Sequence, residues 1–130
     1  MTETLPNSED MEKALLGCMI LEPDEVIPNI ISEHKNIAEY FLSIRTRVVF
    51  NTIMELLSTG KAIDENTIID SLKKKDKLDN IGGVIFVCSL ADQSPSAKNY
   101  SYYADILRDY YVRRSLIIMS KDALHDAQKA

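Results

Sequence analysis

The 130-residue chain carries 15 Lys and Arg against 20 Asp and Glu, a formal charge of −5, and 45% hydrophobic residues. That length builds one core and leaves no room for a separate catalytic domain. The acidic balance excludes a surface that grips phosphate over its whole extent, because such affinity comes from Lys and Arg displacing counterions. No basic stretch followed by an apolar one opens the chain, and no apolar run approaches the roughly 20 residues that span a bilayer, so the expectation is a cytoplasmic protein without a membrane segment. Cys18 and Cys88 stand alone among apolar neighbours, without metal-knuckle or redox spacing, and read as small buried hydrophobes in a reducing compartment.

Residues 1–6 read as a flexible tail. Pro6-Asn7-Ser8 then restarts the backbone, with Asn7 or Ser8 as N-cap and Glu9 and Asp10 favourable in a first turn. A helix is predicted to about Leu21, burying Met11, Ala14, Leu15, Cys18 and Met19, and Gly17 inside it marks a close helix contact. Glu22-Pro23 breaks the pattern. Asp24 can cap a short helix that carries Val26, Ile27, Ile30 and Ile31 inward, with Pro28 near its first turn. Between Glu33 and Leu42 the signal is weak, and Tyr40 and Phe41 are expected as lids on the core.

The stretch from Ser43 to Gly60 has the strongest helical pattern and is the expected organiser of the fold. Val49, Phe50, Ile53, Met54, Leu56 and Leu57 fall within an arc of about 160°, with Arg47, Asn51, Glu55 and Ser58 opposite. Ser43 can cap its start and Gly60 can close its end in the left-handed conformation. A helix capped by Asp64 follows, with Ile68, Ile69 and Leu72 inward. Lys73, Lys74, Lys75 and Lys77 crowd its end, as a solvated face favoured by the helix dipole. Gly82-Gly83 turns into a helix carrying Val84, Phe86, Val87, Leu90 and Ala91, which Ser94-Pro95-Ser96 ends.

One long helix is predicted from about Ala97. Its first stripe is Tyr100, Tyr103, Ala104, Leu107, Tyr110 and Tyr111, and it stops where Arg114 takes the next position. A second stripe, Val112, Leu116, Met119, Ala123 and Ala127, has the spacing of a coiled-coil seam. The first face belongs to the core and the second needs a partner. The candidate assembly face is therefore Val112, Leu116, Ile117 and Met119, with Phe86 as a further partner-contact candidate. The chain stops without a C-cap, as if cut from a longer polypeptide.

Catalytic patterns are absent from the sequence. Gly60-Lys61-Ala62 lacks the hydroxyl that a phosphate loop places on magnesium, and Glu55 stands where its first glycine belongs. His34 and His125 have no partners at ligand spacing and read as surface histidines. No serine or cysteine lies in a nucleophile motif. The residues alone describe a binding or assembly module with no catalytic, cofactor or metal site.

Leu5-Pro6-Asn7-Ser8, Glu12, Leu16-Gly17 and Met19 to Leu21, in that order, resemble the opening of the N-terminal domain of the replicative hexameric DNA helicase of the DnaB type. The same pattern continues through Phe41, Arg47, Phe50, the Gly60 to Asp64 turn, Gly82-Gly83, Pro95-Ser96-Ala97, Asn99, Tyr103-Ala104 and Ile106, so the resemblance runs from Leu5 to Ile118. It departs at Ala62, where proline is common, and at Cys18, where a second glycine often follows the first.

The resemblance implies an all-α fold: a helical globule of about five to six helices over 7–111, then a long C-terminal helix over 112–130 that begins the first arm of a truncated helical hairpin. It further implies self-association, as dimers and as a trimer of dimers in the full-length hexamer. Primase is the expected partner, with a helicase loader as a second candidate and little direct DNA binding. ATP, magnesium and DNA unwinding would belong to a C-terminal motor domain. Two rival readings remain. One is a small DNA-binding helical or winged-helix domain using Asp64 to Lys77 as recognition helix, against which stand the acidic total and the lack of a wing pattern. The other is a stand-alone adaptor of the same fold.

Overall fold

Ser8 accepts a hydrogen bond from the Met11 N–H and starts α1 (Glu9–Leu21), with Glu9, Asp10 and Glu12 in the favourable first turn. The computed structural model describes residues 5–94 and 96–129, so the expected tail at 1–4, the stop at Pro95 and the chain end at Ala130 lie outside the described residues. Pro6, placed by the sequence in the loose tail, is tied down, its carbonyl accepting from Arg114 at 2.9 Å.

The remaining elements are α2 (Pro23–Glu33), a 3₁₀ turn (Ile37–Tyr40), α3 (Ile44–Ser58), α4 (Glu65–Lys74), a second 3₁₀ turn (Asp79–Ile81), α5 (Gly83–Asp92), a third (Ala97–Asn99) and α6 (Tyr100–Lys129). Among the described residues there is no strand.

The central element is α1, not α3. Every residue from Ala14 to Ile20 is buried, and α2, α3, α5 and α6 all pack on this one helix. Small residues explain it, since Ala14, Gly17 and Cys18 let neighbours approach faces that larger side chains would hold off. A Cβ on Gly17 would stand 2.2 Å from the Leu90 carbonyl oxygen of α5. Leu15, Leu16 and Met19 fill the remaining space, each stabilising the fold by about 1.5–3 kcal/mol.

In α3 the predicted apolar face is largely realised. Val49, Phe50, Ile53 and Leu56 are buried and Asn51 is exposed, and Phe50 stacks on Phe41 with centroids 4.7 Å apart. Leu57, expected inside, is exposed, whereas Thr46 and Thr52 are buried. Ser43 does not cap with its side chain. Its hydroxyl donates to Glu9 and its backbone N–H to Glu12 Oε1 at 3.1 Å, so α1 supplies the acceptors that the local sequence was expected to provide. Gly60 closes the helix at φ +71°.

Three expectations for α2 are corrected. The helix begins at Pro23, so Asp24 lies inside its first turn rather than at the cap, Pro28 lies within the helix, and Ile31 is exposed. Asp64 caps α4 in a reciprocal box with Thr67. His34, expected at the surface, is buried at the end of α2. Its Nδ1 lies 3.0 Å from the Tyr40 hydroxyl, and Tyr40 packs on Tyr111 of α6.

Candidate assembly face

Tyr100, Tyr103, Ala104, Leu107 and Tyr111 hold the first half of α6 against the globule, with Ala104 and Leu107 fully covered. The stripe does not stop at Arg114. That residue is 5% exposed and continues the buried face, because its guanidinium donates to the Pro6 and Glu39 carbonyls at 2.9 Å each. Periodicity reads an arginine as the end of an apolar stripe, whereas here the charge is held by backbone oxygens of segments far away in sequence. Burial pushes the Arg114 pKa down and the nearby Glu12 carboxylate pulls it back up.

Beyond Arg114 the helix leaves the globule. From Ile118 to Lys129 every residue is exposed, an arm of about 18 Å at 1.5 Å per residue. Of the predicted face, Val112 is 44%, Leu116 58% and Met119 65% exposed. These three lie within about 60° of one another around the helix axis. Ile117 is half-buried and stands about 100° round from Leu116, on the flank rather than in the stripe.

Phe86 does not join this face. It is 6% exposed in α5 and lies beneath the Arg45 guanidinium, whose central carbon is 4.4 Å from the ring centroid. Its apolar position drew it into the core, and Arg45, anchored by Glu9, covers what remained.

Two apolar side chains were missed, Ile118 and Leu124, both about half exposed. Ile118 continues the Leu107–Arg114 row past the end of the globule, which its spacing from Arg114 could have shown. With Leu5, Leu42, Tyr111 and Met119 it lines a groove of about 490 Å³ at the root of the arm.

Away from the arm, Ile44 of α3 and Ile85 of α5 are also largely exposed. Of the lysine cluster after α4, Lys74 pairs with Asp70 at 3.0 Å and Lys75 with Glu55. Among the described residues no group of His, Cys, Asp and Glu could hold a metal ion. No helix among them is long and apolar enough to cross a membrane.

A helical globule that carries one of its own helices outward as an apolar-striped arm belongs to the class of arm-bearing all-α domains. The chain belongs to the DnaB-like helicase N terminal domain family, whose model matches residues 4–109. It is 32% identical over 112 residues to the replicative DNA helicase DnaB of Geobacillus stearothermophilus, covering 86% of this chain and 24% of that protein. It is 34% identical over 115 residues to the DnaB helicase of Buchnera aphidicola subsp. Baizongia pistaciae, covering 87% and 24%. The chain thus spans about a quarter of the length of these curated relatives. Its fold is similar to the crystal structure of the N-terminal domain of DnaB helicase from Mycobacterium tuberculosis, with TM-score 0.87, 24% identity, and coverage of 96% of this chain and 85% of that one.

Proposed function

We propose that this domain is the assembly and recruitment module of a replicative DNA helicase. The exposed stripe Val112, Leu116 and Met119, which runs along α6 where the helix leaves the globule, carries the reading, because an exposed apolar row gains by association. Its partner is the arm of a second copy, giving dimers and, in a full-length hexamer, a trimer of dimers. Primase docks on the resulting collar, and a helicase loader is a further candidate partner. ATP, magnesium and DNA translocation are assigned to a motor domain of the parent helicase, because no phosphate-cradling loop stands in this sequence.

Competition tests the reading. Excess isolated domain should displace labelled cognate primase from the full-length helicase in a titration, and sedimentation should show self-association that rises with concentration. Failure to compete and a monomer at all concentrations would sink it. Sub-micromolar, steeply salt-dependent binding to DNA by the domain alone would favour the recognition-helix alternative instead.

A further inference from the structure

Glu12 and Arg114 are 1% and 5% exposed, and the assembly face uses neither. On α1, Glu12 Oε1 accepts from the Ser43 N–H at 3.1 Å and the Thr46 hydroxyl at 2.6 Å. Its other oxygen, Oε2, is buried and has no hydrogen-bond partner among the described residues. On α6, which packs against α1, Arg114 donates to the Pro6 and Glu39 carbonyls.

This distribution of partners is lopsided. A guanidinium bonded to a carboxylate is ionised on both sides and can pair with it through two parallel bonds, yet here the guanidinium sits on two neutral carbonyls and leaves the buried carboxylate oxygen idle. A buried charged acceptor without a donor is destabilising, so an arrangement that pairs it recovers much of what is lost when a carbonyl is released. The guanidinium makes no hydrogen bond to Oε2 as it stands, and because it is a rigid planar fork whose donors move together, a shift toward Oε2 draws them away from the two carbonyls. The two carbonyls belong to separate pieces, the segment entering α1 and the Ile37–Tyr40 turn. Leu5 and Glu39 from those pieces, together with Arg114 and Met119, border the groove at the root of the arm.

We propose that Arg114 is a two-position latch at the root of the arm, closed on the Pro6 and Glu39 carbonyls as seen here and open when its guanidinium pairs with Glu12 Oε2. In the closed position the N-terminal segment walls the groove; in the open position the wall is free to leave. The latch does not depend on what binds the arm, and it can operate whether or not the domain assembles as proposed above.

Amide exchange in the full 130-residue chain tests it, read at Met11, whose N–H is bonded to Ser8, and at Glu39, bonded to Asn36. Glu12→Gln keeps an oxygen for Ser43 and Thr46 but removes the charged alternative acceptor, so it should slow exchange at both amides by about threefold or more. Arg114→Met should speed both by about tenfold, Arg114→Lys by less, and Glu12→Gln should have no further effect in the Arg114→Met background. Unchanged or faster exchange in Glu12→Gln would overturn the latch, because it would make Glu12 a fixed support of the closed state or a bystander. So would an effect of Glu12→Gln that persists without Arg114. If circular dichroism shows Arg114→Met unfolded, Glu12→Gln in the natural and Arg114→Lys backgrounds decides alone, an undiminished effect beside lysine counting against the latch.

Discussion

Gly17 of α1 lies against the Leu90 carbonyl of α5 so closely that an added Cβ would stand 2.2 Å from the oxygen. Alanine is favoured over glycine in a helix by about 1 kcal/mol, yet the obstacle here is backbone and cannot rotate aside. Overpacking therefore outweighs propensity. Gly17→Ala should lower stability by about 1–3 kcal/mol, seen as an earlier urea midpoint with unchanged slope. A variant as stable as the natural chain would mean that α1 and α5 can separate at little cost.

Phe50 and Asn51 are neighbours in sequence and opposite in fate. Phe50 is buried and stacked on Phe41, and Asn51 is exposed. Phe50→Ala should cost about 3–5 kcal/mol, and Asn51→Ala should stay within about 0.5 kcal/mol of the natural chain. Thermal unfolding of the pair measures the contrast, and comparable losses from both would place the face of α3 wrongly.

How legible the molecule was from its sequence depends on whether the determinant was local. Ser8, Asp64 and Gly60 act on backbone within a few residues and were readable from residue type. The inward face of α3 and the close contact at Gly17 followed from spacing and from a small residue inside a helix. What periodicity cannot supply is the identity of the covering neighbour. Arg114 was read as the end of a stripe because its acceptors, Pro6 and Glu39, lie far off in the chain. Ser43 was read as a cap because its real partners are carboxylates of α1. Leu57 and Ile31 have apolar side chains at suitable angles, yet both stay exposed. The arm illustrates the converse: the stripe through Val112, Leu116 and Met119 was visible because nothing in the chain needed to cover it.

The contact between Glu9 and Arg45 makes a prediction about acid. The Arg45 hydrogen bond, assisted by Ser43 and opposed by burial, holds the Glu9 pKa down to about 2 from an ordinary 4.5. A folded-state pKa below the unfolded one stabilises fully above the unfolded value and is lost as pH falls through the folded value. Urea midpoints should therefore drop between about pH 5 and pH 2, and Glu9→Gln should remove part of that drop. The gap between the natural chain and Glu9→Gln should narrow as the medium is acidified. A gap as wide at pH 3 as at pH 7 would show that the carboxylate's charge contributes nothing.

Leu116 separates the function of the arm from the stability of the globule. It is 58% exposed on the far side of α6 from Leu107, so a charge there meets water in the isolated domain, and Leu116→Glu should leave helicity and melting temperature within error of the natural chain. Leu107→Glu serves as the contrast, since it places a carboxylate in a fully covered position and should unfold the domain. In an associated state the balance reverses, because a glutamate in an apolar seam must be desolvated without a partner. Leu116→Glu should therefore raise the dissociation constant for self-association by about tenfold or more, about 1.4 kcal/mol or above, and should weaken primase recruitment by the full-length helicase if primase reads the paired arms. Sedimentation, primase titration and circular dichroism on the same preparations make the assignment. Loss of fold in Leu116→Glu would return the residue to the core, and intact fold with every association unchanged would leave the arm's stripe as surface.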